Sequence, residues 1–465
     1  MLFSSIPFLY RFLPVVLMMY FIVPAKLKNI VLLISSLFFY AWGEPTNVVI
    51  MLISVFCSYV LGIYIEKYRG TKKGKLIFIL SIAISVGFLV YFKYMDFFIR
   101  NINAATGIGI RQLNIALPIG ISFYTFQIIS YTVDVERGEK AQKNFIALAT
   151  YISMFPQLIA GPIVRYSDIR DQLKERQSTI TKSAEGIRRF ILGLAKKILL
   201  ANQLGELCTI FAGVENKSIV FYWIYALAFT MHVYFDFSGY SDMAIGLGKI
   251  FGFEFLENFN YPFISSSITE FWRRWHMSLG TWFRDYVYIP LGGNRKGWLK
   301  QLRNILVVWM LTGFWHGAEW NFILWGLFFA VLLIIEKSGL LQFLKQHKIV
   351  AHVYVLFMLM ISFVIFNAEN MSVVWRDLQG MFGMAALPLI NAETVYYIKS
   401  FSVILLISMV GSTPFVTSVM TKIKEDQTGS KVLNVLEPVV LTVLMVVMTA
   451  YLVDGSFNPF LYFRF

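Results

Sequence analysis

The chain has 465 residues, of which 57% are hydrophobic and 15% charged, with a net charge of +14. A soluble domain averages about 45–50% apolar and about 25% charged residues, so this apolar surplus exceeds what one water-facing core takes up and excludes a soluble enzyme. No aromatic and basic RNA- or DNA-binding module is present, so the positive charge implies no nucleic acid; it fits Lys and Arg in cytoplasmic loops beside anionic membrane lipids.

A membrane helix needs about 20 mostly apolar residues. Such runs occur in order at 5–23, 28–42, 47–65, 76–98, 115–133, 145–163, 187–212 and 218–248. They resume at 303–318, 320–336, 350–366, 397–419 and 433–453. The expectation is an all-α, polytopic membrane protein with about eleven to thirteen spans, plus re-entrant and interfacial helices. The first run, in MLFSSIPFLYRFLPVVLMMYF, lacks a preceding basic region and a small-residue cleavage site, so it reads as a retained helix rather than a signal peptide. No linker separates a soluble domain, and residues 1–465 read as one integral-membrane domain.

The loops between these runs orient the bundle. EKYRGTKKGK (66–75), KSGLLQFLKQHK (337–348) and KIKEDQTGSK (422–431) are basic and are expected on the cytoplasmic face, with the N-terminus outside. The most hydrophilic stretch, 165–189, is expected as an interfacial helix on that face. Two segments, ALPIGISFYTFQ (116–127) and FPQLIAGPIVRYSD (155–168), place Pro and Gly inside apolar runs. Broken backbone at membrane depth needs protein or a water-filled cavity around it, so each lines a cavity or is a kinked packing helix. Cys57 and Cys208 are far apart and support neither a disulfide framework nor a cysteine metal site. No internal repeat marks a transporter of two related halves.

One region departs from this pattern. Inside a polar region of about 230–325, residues 236–320 are rich in Trp, Arg, Asn, Gly and Pro, and they hold two of the chain's five histidines, His276 and His316. Polar groups in a low-dielectric setting cost free energy unless paired, and they persist there for function. His316 lies in LTGFWHGAEW between Gly313 and Gly317, beside Trp315. If the helix continues, Glu319 is placed three positions on to orient the ring. Two readings fit: a general base that approaches a substrate past the small glycines, or a histidine hydrogen-bonded between helices.

His276 lies in TEFWRRWHMSLGTWFRDY. If that stretch is helical, Glu270 pairs with Arg274 at i,i+4 and Trp272 shares a face with His276. Arg273, Arg274 and Arg284 are donors suited to phosphate, and Trp272, Trp275 and Trp282 are suited to stacking on a base or to an interface belt. The other reading is a juxtamembrane amphipathic helix with snorkelling arginines. His232 and Asp236, also at i,i+4, read as structural; Asn258 and Asn260 read as caps of a polar turn. GNRKGWLKQLR (293–303) is a basic loop where an anionic cosubstrate would arrive. No P-loop, GxSxG elbow, HExxH or acidic metal cluster occurs, so no metal is expected.

The run from DMAIGLGKIFGFEFLENFNYPFISSSITEFWRRWHMSLGTWFRDYVYIPLGGNR to GFWHGAEWNFILWG closely resembles the membrane-bound O-acyltransferase (MBOAT) family. MLFSSIPFLYRFLP, FYAWGEP and the ending NPFLYFRF extend the resemblance over almost the whole chain, toward the alginate and peptidoglycan O-acetyltransferase branch. The resemblance implies a helical bundle around a central funnel. It matches the family's membrane histidine to His316 and a second position, Asn in some members, to His276. It further implies a bacterial cell-membrane enzyme with no bound cofactor, which takes acetyl from a cytoplasmic donor such as acetyl-CoA. Arg273, Arg274, Trp275, Arg284, Asn258, Asn260 and Trp315 become the donor- and substrate-binding candidates. The acetyl group would cross the membrane to a small membrane partner or an extracytoplasmic SGNH-type transferase, and end on a polysaccharide. Teichoic acid D-alanyl transferases share the RWHMSL and WFRDY words, so carrier-fed D-alanylation is the alternative; a channel or flippase without chemistry is a third.

Overall fold

The computed structural model describes residues 1–455. The NPFLYFRF ending lies outside the described residues. Regular structure is helical throughout, and no strand occurs among the described residues. Among the described residues, seven helices are long and apolar enough to cross a membrane: Asn47–Lys67, Lys72–Thr106, Ile219–Ile250, Trp320–Gln346, Lys348–Asn367, Ala392–Gly411 and Gln427–Val453. The apolar helix Phe8–Ile22 is shorter. Other apolar runs fold into shorter or interrupted helices, among them Lys28–Ala41, Ile121–Arg137, Phe145–Ser153 and Trp298–His316. Several helix starts follow from local chemistry: Asn144, Ser267, Asn370, Asn391 and Asp426 each accept a hydrogen bond from a backbone N–H of the first turn. Along Gln427–Val453 the side chains of Val435, Val439, Val443 and Val446 are exposed, an outward apolar face suited to lipid rather than water.

The chain forms two compact units, Met1–Phe190 with Ser241–Leu256, and Ile191–Tyr240 with Glu257 onward. In the first, Phe3, Phe8, Phe39 and Phe155 pack ring on ring, with centroids as close as 4.8 Å. Both Gly/Pro-broken segments fold here. Gly120 takes a left-handed φ of +77°, and a Cβ there would lie 2.9 Å from the Leu158 carbonyl oxygen. Only glycine meets both demands, so the helix waits until Ile121. Residues 154–164 are buried throughout, a single helical turn, Phe155–Leu158, followed by irregular backbone. The hydrophilic 165–189 stretch is not one helix. Tyr166–Lys174 and Ile180–Ala195 are separated at Glu175, where the backbone turns extended. Gly186 and Gly246 then let two helices meet backbone to backbone, each Cβ position lying within 2.6 Å of the other's carbonyl oxygen.

The second unit has an aromatic core that includes Phe229, Phe271, Trp275, Trp325, Phe329 and Phe363. Its main feature is the hairpin Trp298–His316 with Trp320–Ile335. Gly313 and Gly326 face each other, and a Cβ on either would sit 2.2 Å from a backbone oxygen of the opposite helix. The two helices therefore touch through backbone, which holds the hairpin's closed end rigid.

Candidate active site

His316 is the last residue of the first hairpin helix. Gly317 follows in an extended conformation, packed so closely that a Cβ there would lie 2.1 Å from the Phe322 ring. The helix therefore does not continue, and Glu319 instead becomes the N-cap residue of the next helix. The expected one-turn spacing between His316 and Glu319 does not form. The imidazole is 9% exposed and sits among aromatic edges: Trp315 at 4.9 Å, Trp325 at 5.0 Å and Phe366 at 5.2 Å between ring centroids.

His276 is placed by a break rather than by a helix. Ile268–Arg274 stops, Trp275 is extended, and His276 takes a left-handed φ of +43° before Met277–Phe283 begins. The continuous helix expected across TEFWRRWHMSLG is thus interrupted at the histidine. A left-handed φ on a non-glycine residue costs about 1–3 kcal/mol and persists only when its surroundings over-determine it. Those surroundings come from Asn258, 1% exposed. Its backbone oxygen accepts the Met277 N–H at 3.0 Å. Its Oδ1 accepts the Ser278 N–H at 3.3 Å and the Ser278 hydroxyl at 2.9 Å, and lies 3.1 Å from His276 Nδ1. The backbone donor identifies that atom as oxygen, so His276 Nδ1 carries the proton and Nε2 the lone pair. Nε2 is buried and meets no hydrogen-bond partner among the described residues. Burial pushes this imidazole down from its ordinary value to about 3, so it is neutral at physiological pH. A neutral imidazole with an open Nε2 can accept a proton or a hydroxyl hydrogen bond.

Trp315 joins the two histidines. Its ring centroid is 4.9 Å from that of His316 and 6.2 Å from that of His276. Phe237 stands edge-on to His276 at 4.6 Å. The other expected binding residues make the following contacts. Arg274 pairs with Glu270 at 2.9 Å, as the spacing implies, and reaches the Asn260 carbonyl at 3.2 Å. Arg273 is exposed, and Arg284, also exposed, pairs with its neighbour Asp285 at 2.7 Å. Trp275 is buried in the aromatic core, stacked on Phe271 at 5.4 Å, which leaves its face unavailable to a ligand. Asn260 contributes a backbone N–H to the Arg274 carbonyl. The expected 293–303 loop ends at Gly297, because Trp298 already begins the helix Trp298–His316; buried Asn304 pins the loop by donating to the Gly293 carbonyl at 2.9 Å, and Arg295, Lys296 and Lys300 are exposed. No group of three or more His, Cys, Asp or Glu among the described residues is placed to hold a metal ion.

Sequence reasoning missed Ser278, Phe237, Trp325 and Phe366 as neighbours of the histidines, and nothing in their spacing announces them. It also missed a buried ion pair, Lys197 with Asp236 at 2.5 Å, both side chains 2% exposed. A lysine inside the apolar run GLAKKILLA was its available signal.

Comparison with known proteins bears on what such a site does. The model of the family described as MBOAT, membrane-bound O-acyltransferase family, matches residues 34–375. The probable alginate O-acetylase AlgI of Azotobacter vinelandii is 42% identical over 389 residues, covering 82% of this chain and 78% of that protein. The peptidoglycan O-acetyltransferase of Helicobacter pylori is 34% identical over 422 residues, covering 83% and 80%. The teichoic acid D-alanyltransferase of Bacillus subtilis is 34% identical over 235 residues, covering 47% of this chain and 59% of its own.

Proposed function

The chain belongs to the membrane-bound O-acyltransferase family and is a multi-pass membrane acyltransferase, and on that premise we propose that it O-acetylates a cell-surface or secreted polysaccharide. Alginate-like polymers and peptidoglycan are the acceptor classes favoured, because the relatives named for them match most of both chains, whereas the D-alanyltransferase matches less than half of this one. The donor is an acetyl thioester, acetyl-CoA, arriving from the cytoplasmic side of a bacterial inner membrane. The exposed basic residues Arg295, Lys296 and Lys300 suit its phosphates. A small membrane partner or an extracytoplasmic SGNH-type transferase carries the group onward to the polymer.

In this reading His316 is the general base. It takes the proton of an acceptor hydroxyl while the hydroxyl oxygen bonds to the acetyl carbonyl carbon. The C–S bond then breaks, and the thiolate leaves as thiol with that proton. His276 accepts a hydrogen bond from the acceptor through Nε2 and orients it. The observation that carries the proposal is the pair of buried imidazoles that both pack against Trp315, one of them with Nε2 open. The test is His316→Ala at equal membrane expression, with labelled acetyl-CoA supplied to membranes. Loss of label transfer is expected, and unchanged transfer would overturn the assignment. If the wild type takes no label from acetyl-CoA but takes it from an acylated carrier protein, the D-alanyl type of donor is correct.

A further inference from the structure

We propose that Glu336 is a positioning residue that sets where His276 stands. Glu336 follows the hairpin helix Trp320–Ile335 and is 1% exposed. Its Oε1 accepts the Ile268 N–H at 2.6 Å, and its Oε2 accepts the Thr269 N–H at 2.9 Å and the Thr269 hydroxyl at 2.6 Å. These are the first two residues of Ile268–Arg274, the helix that leads directly into Trp275 and His276. A carboxylate accepts hydrogen bonds and donates none, so three donors around one buried carboxylate make a satisfied, directional anchor.

The anchor matters because of what else the same hairpin helix carries. Near its start Trp325 packs edge-on against His316 at 5.0 Å, and Gly326 lies against the Trp309 backbone. Along its length Phe329 meets Trp272 of the Ile268–Arg274 helix at 4.9 Å. At its end Glu336 holds the start of that helix. One rigid element of 16 residues, roughly 24 Å long at 1.5 Å per residue, therefore fixes the wall of one histidine and the approach to the other. Asn258 fixes the ring of His276 from one side, and Glu336 fixes its backbone approach from another. Together they supply the constraint that the left-handed His276 conformation needs. A misplaced catalytic group loses rate steeply, on the order of 100-fold for about 1 Å.

The inference rests on the reading of His276 as a site residue, so its test includes a readout that needs no activity. Full-length protein in detergent is compared as wild type, Glu336→Gln and Glu336→Asp. Acetyl transfer gives kcat and KM, and diethylpyrocarbonate labelling followed by peptide mass spectrometry gives the modification rate of His276. Glu336→Gln is expected to lower kcat by about tenfold or more, leave the donor KM in place and speed His276 modification severalfold. Glu336→Asp, which keeps the carboxylate, recovers part of both. A lowered unfolding midpoint with unchanged kcat and unchanged His276 labelling would make Glu336 a helix cap only and overturn the proposal. Should Glu336→Gln fail to fold, Thr269→Val removes one donor of the anchor and is expected to shift both readouts the same way by less; no shift overturns it. If the wild type transfers no acyl group, the proposed function falls, while the labelling still decides the role of Glu336.

Discussion

The Asn258 side-chain oxygen lies 3.1 Å from His276 Nδ1 and also receives the Ser278 N–H, which sets the histidine's tautomer. An amide in a loop thus decides which nitrogen of a buried imidazole is basic.

Replacing that amide changes the site predictably. Asn258→Ala leaves the buried Nδ1–H without its acceptor, which costs about 1–3 kcal/mol of stability and frees the ring to turn. Acyl transfer is expected to fall with it. Asn258→Asp puts a carboxylate beside the imidazole, which favours the protonated ring and raises its value from about 3. The acid limb of the rate profile should move to higher pH in that variant. A profile identical to wild type would dissociate Asn258 from the His276 tautomer.

The buried His276 also makes stability depend on pH. Its folded value, about 3, is depressed from the ordinary 6.5 by burial. The unfolded chain therefore takes up the proton first as pH falls. The contribution is complete above 6.5 and is lost between 6.5 and about 3. The slope attributable to this group is at most about 1.4 kcal/mol per pH unit. Thermal unfolding of wild type and His276→Gln across that range should show a shallower acid slope in the variant; parallel slopes would contradict the neutral buried ring.

Lys197 and Asp236 lie 2.5 Å apart with both side chains 2% exposed. Removing one partner strands the other charge in a low-dielectric core. Asp236→Asn or Lys197→Met should each destabilise the protein by about 3–5 kcal/mol, while Lys197→Met with Asp236→Leu recovers most of that loss. Additive effects of the two single changes in a melting assay would show that the charges do not depend on each other.

The hairpin glycines test whether His316 depends on close backbone contact. Gly313→Ala forces a Cβ to within 2.2 Å of the Phe322 carbonyl oxygen, where neither backbone can yield cheaply. Both activity and melting temperature are expected to fall. Gly87→Ala, in a helix where a Cβ meets nothing within 4 Å, should leave both in place. Equal tolerance of the two substitutions would show that the hairpin can open without moving the histidine.

Much of this molecule is legible from local chemistry. The apolar surplus demands lipid-facing helices, and the structure has them. Glu270 with Arg274 is a one-turn pair and forms as spaced. The glycines around His316 mark a close approach, which the structure makes between Gly313 and Gly326. Other readings relied on a helix continuing. Glu319 as a partner of His316 and Trp272 as a face-mate of His276 both assume unbroken helices, and the chain breaks at Gly317 and at Trp275–His276. Helical periodicity has no means of reporting the break at His276, where the contacts of Asn258 and Glu336 come from far along the chain; the break at Gly317 is local, at a glycine packed against the ring of Phe322.

Composition and local pattern by themselves determined the solvent, the helical class and the two histidines worth attention, since burial in lipid and i,i+4 spacing depend only on residue type and near neighbours. Only the tertiary structure decided which nitrogen of His276 is free, which acid anchors its helix and which aspartate answers Lys197. Those pairings join residues 18, 68 and 39 positions apart, and a contact at that separation forms only after the helices have packed.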